Sequence, residues 1–158
     1  MILPGVGTFG AASTEVAEKN WIEILRDRVA AERPTLAICV GMQLLCASSE
    51  ESPFATGLGI IRETIRRFPQ DAVTPHLGWN RIEPFASELL EPGEAYFANS
   101  YRLERPPAGW GGSMSTYEGL FVSALERGAV LACQFHPELS GDYGARLLDR
   151  WLDRGNSA

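Results

Sequence analysis

The stretch Thr35-Leu36-Ala37-Ile38-Cys39-Val40-Gly41-Met42-Gln43 constrains this chain more than any other. Thr35 to Ile38 reads as a short buried strand, Gly41 permits a tight turn, and Met42-Gln43-Leu44-Leu45 opens a helix-forming stretch. A strand turning sharply into a helix belongs to an α/β fold, and a cysteine at that turn sits on an elbow with its sulfur outward. The helix N-terminus beside it favours thiolate, the nucleophilic form. Such a nucleophile needs a histidine base, itself oriented by a carboxylate. The chain has only two histidines, His76 and His136. Phe135-His136-Pro137-Glu138 offers both partners, because residues i and i+2 of an extended segment share a face.

A third segment lies at the start. Met1-Ile2-Leu3 reads as a short buried strand, followed by Pro4-Gly5-Val6-Gly7. Two glycines around one valine make a loop whose backbone N–H groups can turn toward a ligand. Attack by a thiolate creates an oxyanion, and one donor aimed at it is worth about 10²–10³ in rate.

The remaining sequence bounds the setting. A chain of 158 residues is one domain, predicted to span 1–154 with a frayed tail at 155–158. A net charge of −6 and the lack of a basic stripe argue against nucleic acid. No apolar run is long enough for a membrane span and no signal peptide precedes Pro4. Three irregularly spaced cysteines suggest neither disulfides nor a zinc site, so Cys46 and Cys133 read as core packing in a reducing cytoplasm. Ile22, Leu25 and Val29 recur at helical spacing, and Arg33-Pro34 ends that helix. In the second half, runs at 59–61, 95–98, 119–122 and 130–133 read as strands between Pro/Gly-rich turns. A last helix is expected from about Asp142, with Leu147, Leu148, Trp151 and Leu152 as its apolar stripe. Alternating elements predict an α/β fold with a mostly parallel sheet and an antiparallel, β-rich addition.

The three signatures, Pro4-Gly5-Val6-Gly7, Cys39-Val40-Gly41-Met42-Gln43 and Phe135-His136-Pro137-Glu138, resemble those of triad-type (class I) glutamine amidotransferases. Ser49-Glu50-Glu51-Ser52, Pro75-His76-Leu77-Gly78-Trp79-Asn80 and the segment 134–141 narrow the resemblance to glutaminase subunits of imidazole glycerol phosphate synthases. It runs from residue 2 to about residue 152 and implies a flavodoxin-like α/β sandwich. By this resemblance Cys39, His136 and Glu138 are the catalytic triad, with oxyanion donors on Gly5 or Val6 and on Val40. Gln43 and Glu51 match positions that hold the amino-acid end of glutamine, although Glu51 read alone is one of a solvated acidic pair. Asn99-Ser100-Tyr101 matches a backbone strand lining the same pocket, with Asn99 where the family often has His. His76 reads as structural or near a partner interface.

The resemblance further implies a (β/α)₈-barrel cyclase subunit that receives the ammonia and converts a phosphorylated intermediate (PRFAR) to imidazole glycerol phosphate and AICAR. It implies no metal and no organic cofactor. Family members carry a strand–helix–strand pattern of roughly forty residues before the Pro-Gly-Val-Gly loop. Its first strand and helix are therefore expected to be missing here, leaving a fragment, a mis-assigned start or a short variant. The alternatives are another triad amidotransferase, a γ-glutamyl hydrolase, or an inactive remnant serving as a binding module.

Overall fold

The computed structural model describes residues 1–157. In chain order the elements are β1 (Ile2–Leu3), α1 (Phe9–Glu18), α2 (Ile22–Ala30), β2 (Thr35–Ile38), the single turn α3 (Val40–Gln43), β3 (Cys46–Ser49) and β4 (Ile61–Arg67). There follow β5 (His76–Phe85), β6 (Gly93–Asn99), β7 (Tyr101–Arg102), β8 (Gly111–Thr116), β9 (Leu120–Arg127), β10 (Val130–Cys133), a 3₁₀ turn (Pro137–Leu139) and α4 (Gly141–Ser157).

The main sheet has the order β1-β2-β10-β9-β8-β5-β6, and a smaller sheet has the order β3-β4-β7. The architecture is mixed α/β, as expected, but the sheet is not mostly parallel. Only β1–β2 and β2–β10 pair parallel in the main sheet; the pairs β10–β9, β9–β8, β8–β5 and β5–β6 are antiparallel. Short links decide this: Gly128-Ala129 between β9 and β10 leaves room for a hairpin and none for a crossover helix.

β10 is buried along its whole length and β9 along nearly all of it, as strands covered on both faces must be. On one side the core gathers Phe9 and Val16 of α1, Leu25 and Val29 of α2, and the elbow residues Val40 and Met42. On the other, Tyr143, Leu147 and Trp151 of α4 pack on Phe97, Phe121 and Phe135. The Trp151 indole N–H donates to Ala129 O at 3.0 Å, tying α4 to the turn before β10.

Three expectations are corrected here. β1 is an edge strand, and Ile2 is 58% exposed rather than buried. The stretch after Gly41 makes one helical turn, and Cys46–Ser49 is already a strand. Residues 155–157 continue α4 instead of fraying, because Gly155 lets the helix lie against the Pro34 ring, which a Cβ there would meet at 3.2 Å. Residue 158 of the expected tail lies outside the described residues. Among the described residues no helix is long and apolar enough to cross a membrane.

Candidate active site

The three segments singled out in the sequence follow the C-terminal ends of three adjacent strands. Pro4 to Gly7 leave β1, Cys39 follows β2, and His136 follows β10; β2 pairs in parallel with both of its neighbours. Crevices at the carboxyl ends of parallel strands are where α/β sheets bind ligands, because the loops there diverge.

Cys39 extends the ladder by one bond, its N–H donating to Cys133 O at 2.7 Å. It then turns at φ 53°, ψ −110°, a left-handed conformation that a side chain rarely tolerates and that marks a strained elbow. Close packing holds that elbow. A Cβ on Gly41 would stand 2.1 Å from Leu3 O, and one on Gly5 would stand 2.4 Å from Gly41 N. The 4–7 loop is thus pressed onto the elbow backbone. Val6 points outward and is 92% exposed, and Gly7 takes φ 111°.

Burial pushes the Cys39 thiol from 9.0 up to about 11. The Val40 N–H and the Gln134 amide pull it down, whereas the carboxylates of Glu138 and Glu51 push it up. The helix start does favour thiolate through the Val40 N–H, but burial outweighs it. A single helical turn has almost no dipole to offer, and desolvation of the sulfur outweighs the one N–H.

His136 closes β10's exit in an extended conformation, φ −99° and ψ 98°. Its N–H donates to Tyr96 O at 2.9 Å and its carbonyl accepts from Ser140 Oγ at 2.6 Å. Ser140 Oγ in turn accepts from Tyr96 N at 2.9 Å, so one hydroxyl fixes the histidine backbone against β6. The imidazole Nδ1 meets Glu138 Oε1 at 2.8 Å. This pairing does not come from an extended segment: Pro137 starts a 3₁₀ turn, and that turn swings the Glu138 carboxylate back onto the ring. The Glu138 side chain is 50% exposed and His136 is nearly buried.

A cavity of about 150 Å³ lies beside the sulfur, walled by Gly7, Cys39, Val40, Gln43, Glu51 and residues 98–101. Seven residues named from the sequence thus meet around one space: Cys39, Val40, Gln43, Glu51, Asn99, Ser100 and Tyr101. Glu51 is no solvated bystander; its carboxylate accepts from Phe9 N at 2.6 Å, at the first turn of α1. Its neighbour Glu50 behaves as the surface residue, paired with Arg66 at 2.7 Å. Gln43 is buried and donates to Gln134 Oε1 at 2.9 Å and to Tyr101 O at 3.3 Å. Asn99 Nδ2 donates to the same Tyr101 carbonyl at 3.0 Å. Gly5, Val6, His136 and Glu138 stand outside this wall. Among the described residues no group of three or more His, Cys, Asp or Glu is placed to hold a metal.

Residues 1–153 match the family glutamine amidotransferase class-I. The chain belongs to the class-I glutamine amidotransferases. It is 38% identical over 157 residues to the imidazole glycerol phosphate synthase subunit HisH of Symbiobacterium thermophilum, covering 96% of this chain and 74% of that protein. It is 39% identical to the subunit of the same name from Mycobacterium bovis, covering 97% and 78%. In fold it is similar to a solved glutamine amidotransferase, with TM-score 0.70 at 22% identity, covering 98% of this chain and 78% of that one. A second, from Thermotoga maritima, gives TM-score 0.59 at 16% identity, covering 99% and 62%.

Two features of this amidotransferase went unread in the sequence. Gln134 donates to Cys39 Sγ at 3.7 Å; the one legible signal was a polar residue inside an otherwise apolar run, 130–135. The Ser140 clamp gave no signal, since its partner Tyr96 lies 44 residues away. His76 is buried and stacked between Tyr117 at 4.0 Å and Phe97 at 5.1 Å, and burial holds its imidazole below the ordinary value. Its strand neighbours Leu77 and Trp79 are exposed instead.

Proposed function

We propose that the chain is the glutaminase subunit of an imidazole glycerol phosphate synthase, releasing ammonia from glutamine for a (β/α)₈-barrel cyclase that makes imidazole glycerol phosphate and AICAR. The reading rests above all on the convergence of the Gly5 loop, the Cys39 elbow and the His136–Glu138 pair at one end of β1, β2 and β10.

Glutamine enters the cavity with its α-ammonium toward Glu51 and its amino-acid end along Gln43 and residues 99–101. The Cys39 thiol gives its proton to His136 Nε2, the ring nitrogen that Glu138 leaves free, as sulfur attacks the side-chain amide carbon. Burial raises the thiol well above neutral pH, so attack calls for a base to take its proton. The tetrahedral oxyanion takes donors from Val40 N and from the 4–7 loop. The C–N bond then breaks as His136 returns the proton to nitrogen, ammonia leaves, and a glutamyl thioester remains. Water, losing its proton to His136, attacks the thioester; the C–S bond breaks, sulfur recovers the proton, and glutamate departs.

Leu77, Trp79 and Leu139 are large apolar side chains left exposed, suited to cover by a docked subunit that takes the ammonia. Glutamate release from glutamine should be slow for the chain alone and rise with a ligand-loaded cyclase. Cys39→Ala should abolish it while synthesis from added ammonia persists. Equal turnover with and without the cyclase would refute the partner assignment, and full activity of Cys39→Ala the nucleophile.

A further inference from the structure

A chain of amide groups links the cavity wall to the Cys39 sulfur. Asn99 Nδ2 and Gln43 Nε2 both donate to Tyr101 O; Gln43 Nε2 also donates to Gln134 Oε1, and Gln134 Nε2 donates to Cys39 Sγ. Gln134 is 0% exposed and its amide is engaged at both ends, one on a cavity wall and one on the nucleophile. The Oε1 acceptor for Gln43 fixes the flip of the Gln134 amide, and so obliges its NH₂ to point at Cys39.

We infer that Gln134 is a positioning residue for Cys39, holding the sulfur for attack and coupling its thiolate character to the engagement of Gln43 at the glutamine cavity. The inference rests on the glutaminase reading for its substrate, but the positioning itself is a property of the free protein. A hydrogen bond donated to sulfur is stronger to thiolate than to thiol, so it favours the charged form. The charged groups facing the sulfur are the Glu51 and Glu138 carboxylates, both of which oppose ionisation. The carboxylates must stay for recognition and for the imidazole; Gln134 offsets them. When glutamine engages Gln43, the bonds from Gln43 Nε2 redistribute, and the Gln134 amide links that change to sulfur.

The test uses the rate of Cys39 alkylation by iodoacetamide against pH. Cys46 and Cys133 are fully buried, so the rate reports Cys39. Gln134→Glu keeps the acceptor for Gln43 and the side-chain shape but puts a carboxylate where the donor was. Its alkylation rate at a fixed pH near 8 should fall about tenfold, equivalent to about 1.4 kcal/mol, with the profile displaced to higher pH. In glutamine hydrolysis its kcat should fall while KM stays within about twofold, since the wall is intact. Gln43→Leu, which never touches sulfur, should also displace the profile upward by releasing the Gln134 amide. It supplies the answer where Gln134→Glu fails to fold. A profile unmoved in Gln43→Leu and in folded Gln134→Glu would overturn the inference. Displaced profiles in a protein whose wild type does not hydrolyse glutamine even with a ligand-loaded cyclase would uphold the positioning and refute the glutaminase reading alone.

Discussion

Gly5→Ala tests how the loop and the elbow depend on each other. The new Cβ would stand 2.4 Å from Gly41 N and 2.7 Å from Val40 Cβ, where ordinary contact begins at 3.4 Å. The loop must therefore lift from the elbow by about 1 Å. Gly41 cannot retreat, since its own backbone already presses on Leu3 O. Overpacking of this kind costs about 1–3 kcal/mol, so the melting temperature should drop by roughly 2–12 °C for a chain of this size. A lift of about 1 Å at the oxyanion donors should cost about 10²-fold in kcat. KM should change little, because Gly5 is not on the cavity wall. Thermal melts and steady-state glutamine hydrolysis with saturating cyclase measure both quantities on one preparation. A Gly5→Ala protein with wild-type kcat and an unchanged melt would refute the close packing of loop on elbow. A loss confined to stability would show that the 4–7 backbone supplies no oxyanion donor.

Glu138→Gln keeps the hydrogen-bond distance to His136 but can present its NH₂ to Nδ1, favouring the wrong tautomer; kcat should fall about 10²–10⁴-fold with the melt unchanged, and wild-type turnover would remove Glu138 from the mechanism. Cys133→Ala should leave kcat within twofold and cost about 1 kcal/mol by urea unfolding, because the side chain only packs. Stability should fall above pH 9. Burial raises the Cys39 thiol to about 11 and the Cys46 thiol to about 12, so between 9 and those values the unfolded chain has lost protons that the folded chain keeps. The slope is about 1.4 kcal/mol per pH unit for each thiol, and Cys46→Ala should flatten it; urea midpoints from pH 8 to 10.5 that do not fall would contradict the burial of these groups.

The sequence alone picked out the segments that meet at the candidate site. Gly5, Cys39, Gly41, His136 and Glu138 are few, chemically distinctive and set at short fixed spacings, so local pattern sufficed to pick them out. The same holds for the buried strands β2 and β10, whose apolar runs have no solvent face to hide. What went unread depends on distant partners. The number of parallel strands follows from which strands pair across the sheet, and the helix after Cys39 stops after one turn because β3 is drawn into the second sheet. Glu51 is indistinguishable from Glu50 until α1 brings the Phe9 N–H to it. Gln134 gained its side-chain partners Cys39 and Gln43 only when β10 was laid against β2, bringing together residues 95 and 91 positions apart. The thiol's protonation state is likewise a tertiary property: the local elbow favours thiolate, but burial among packed side chains sets the balance, because desolvation depends on everything within reach of the sulfur and not on its neighbours in the chain.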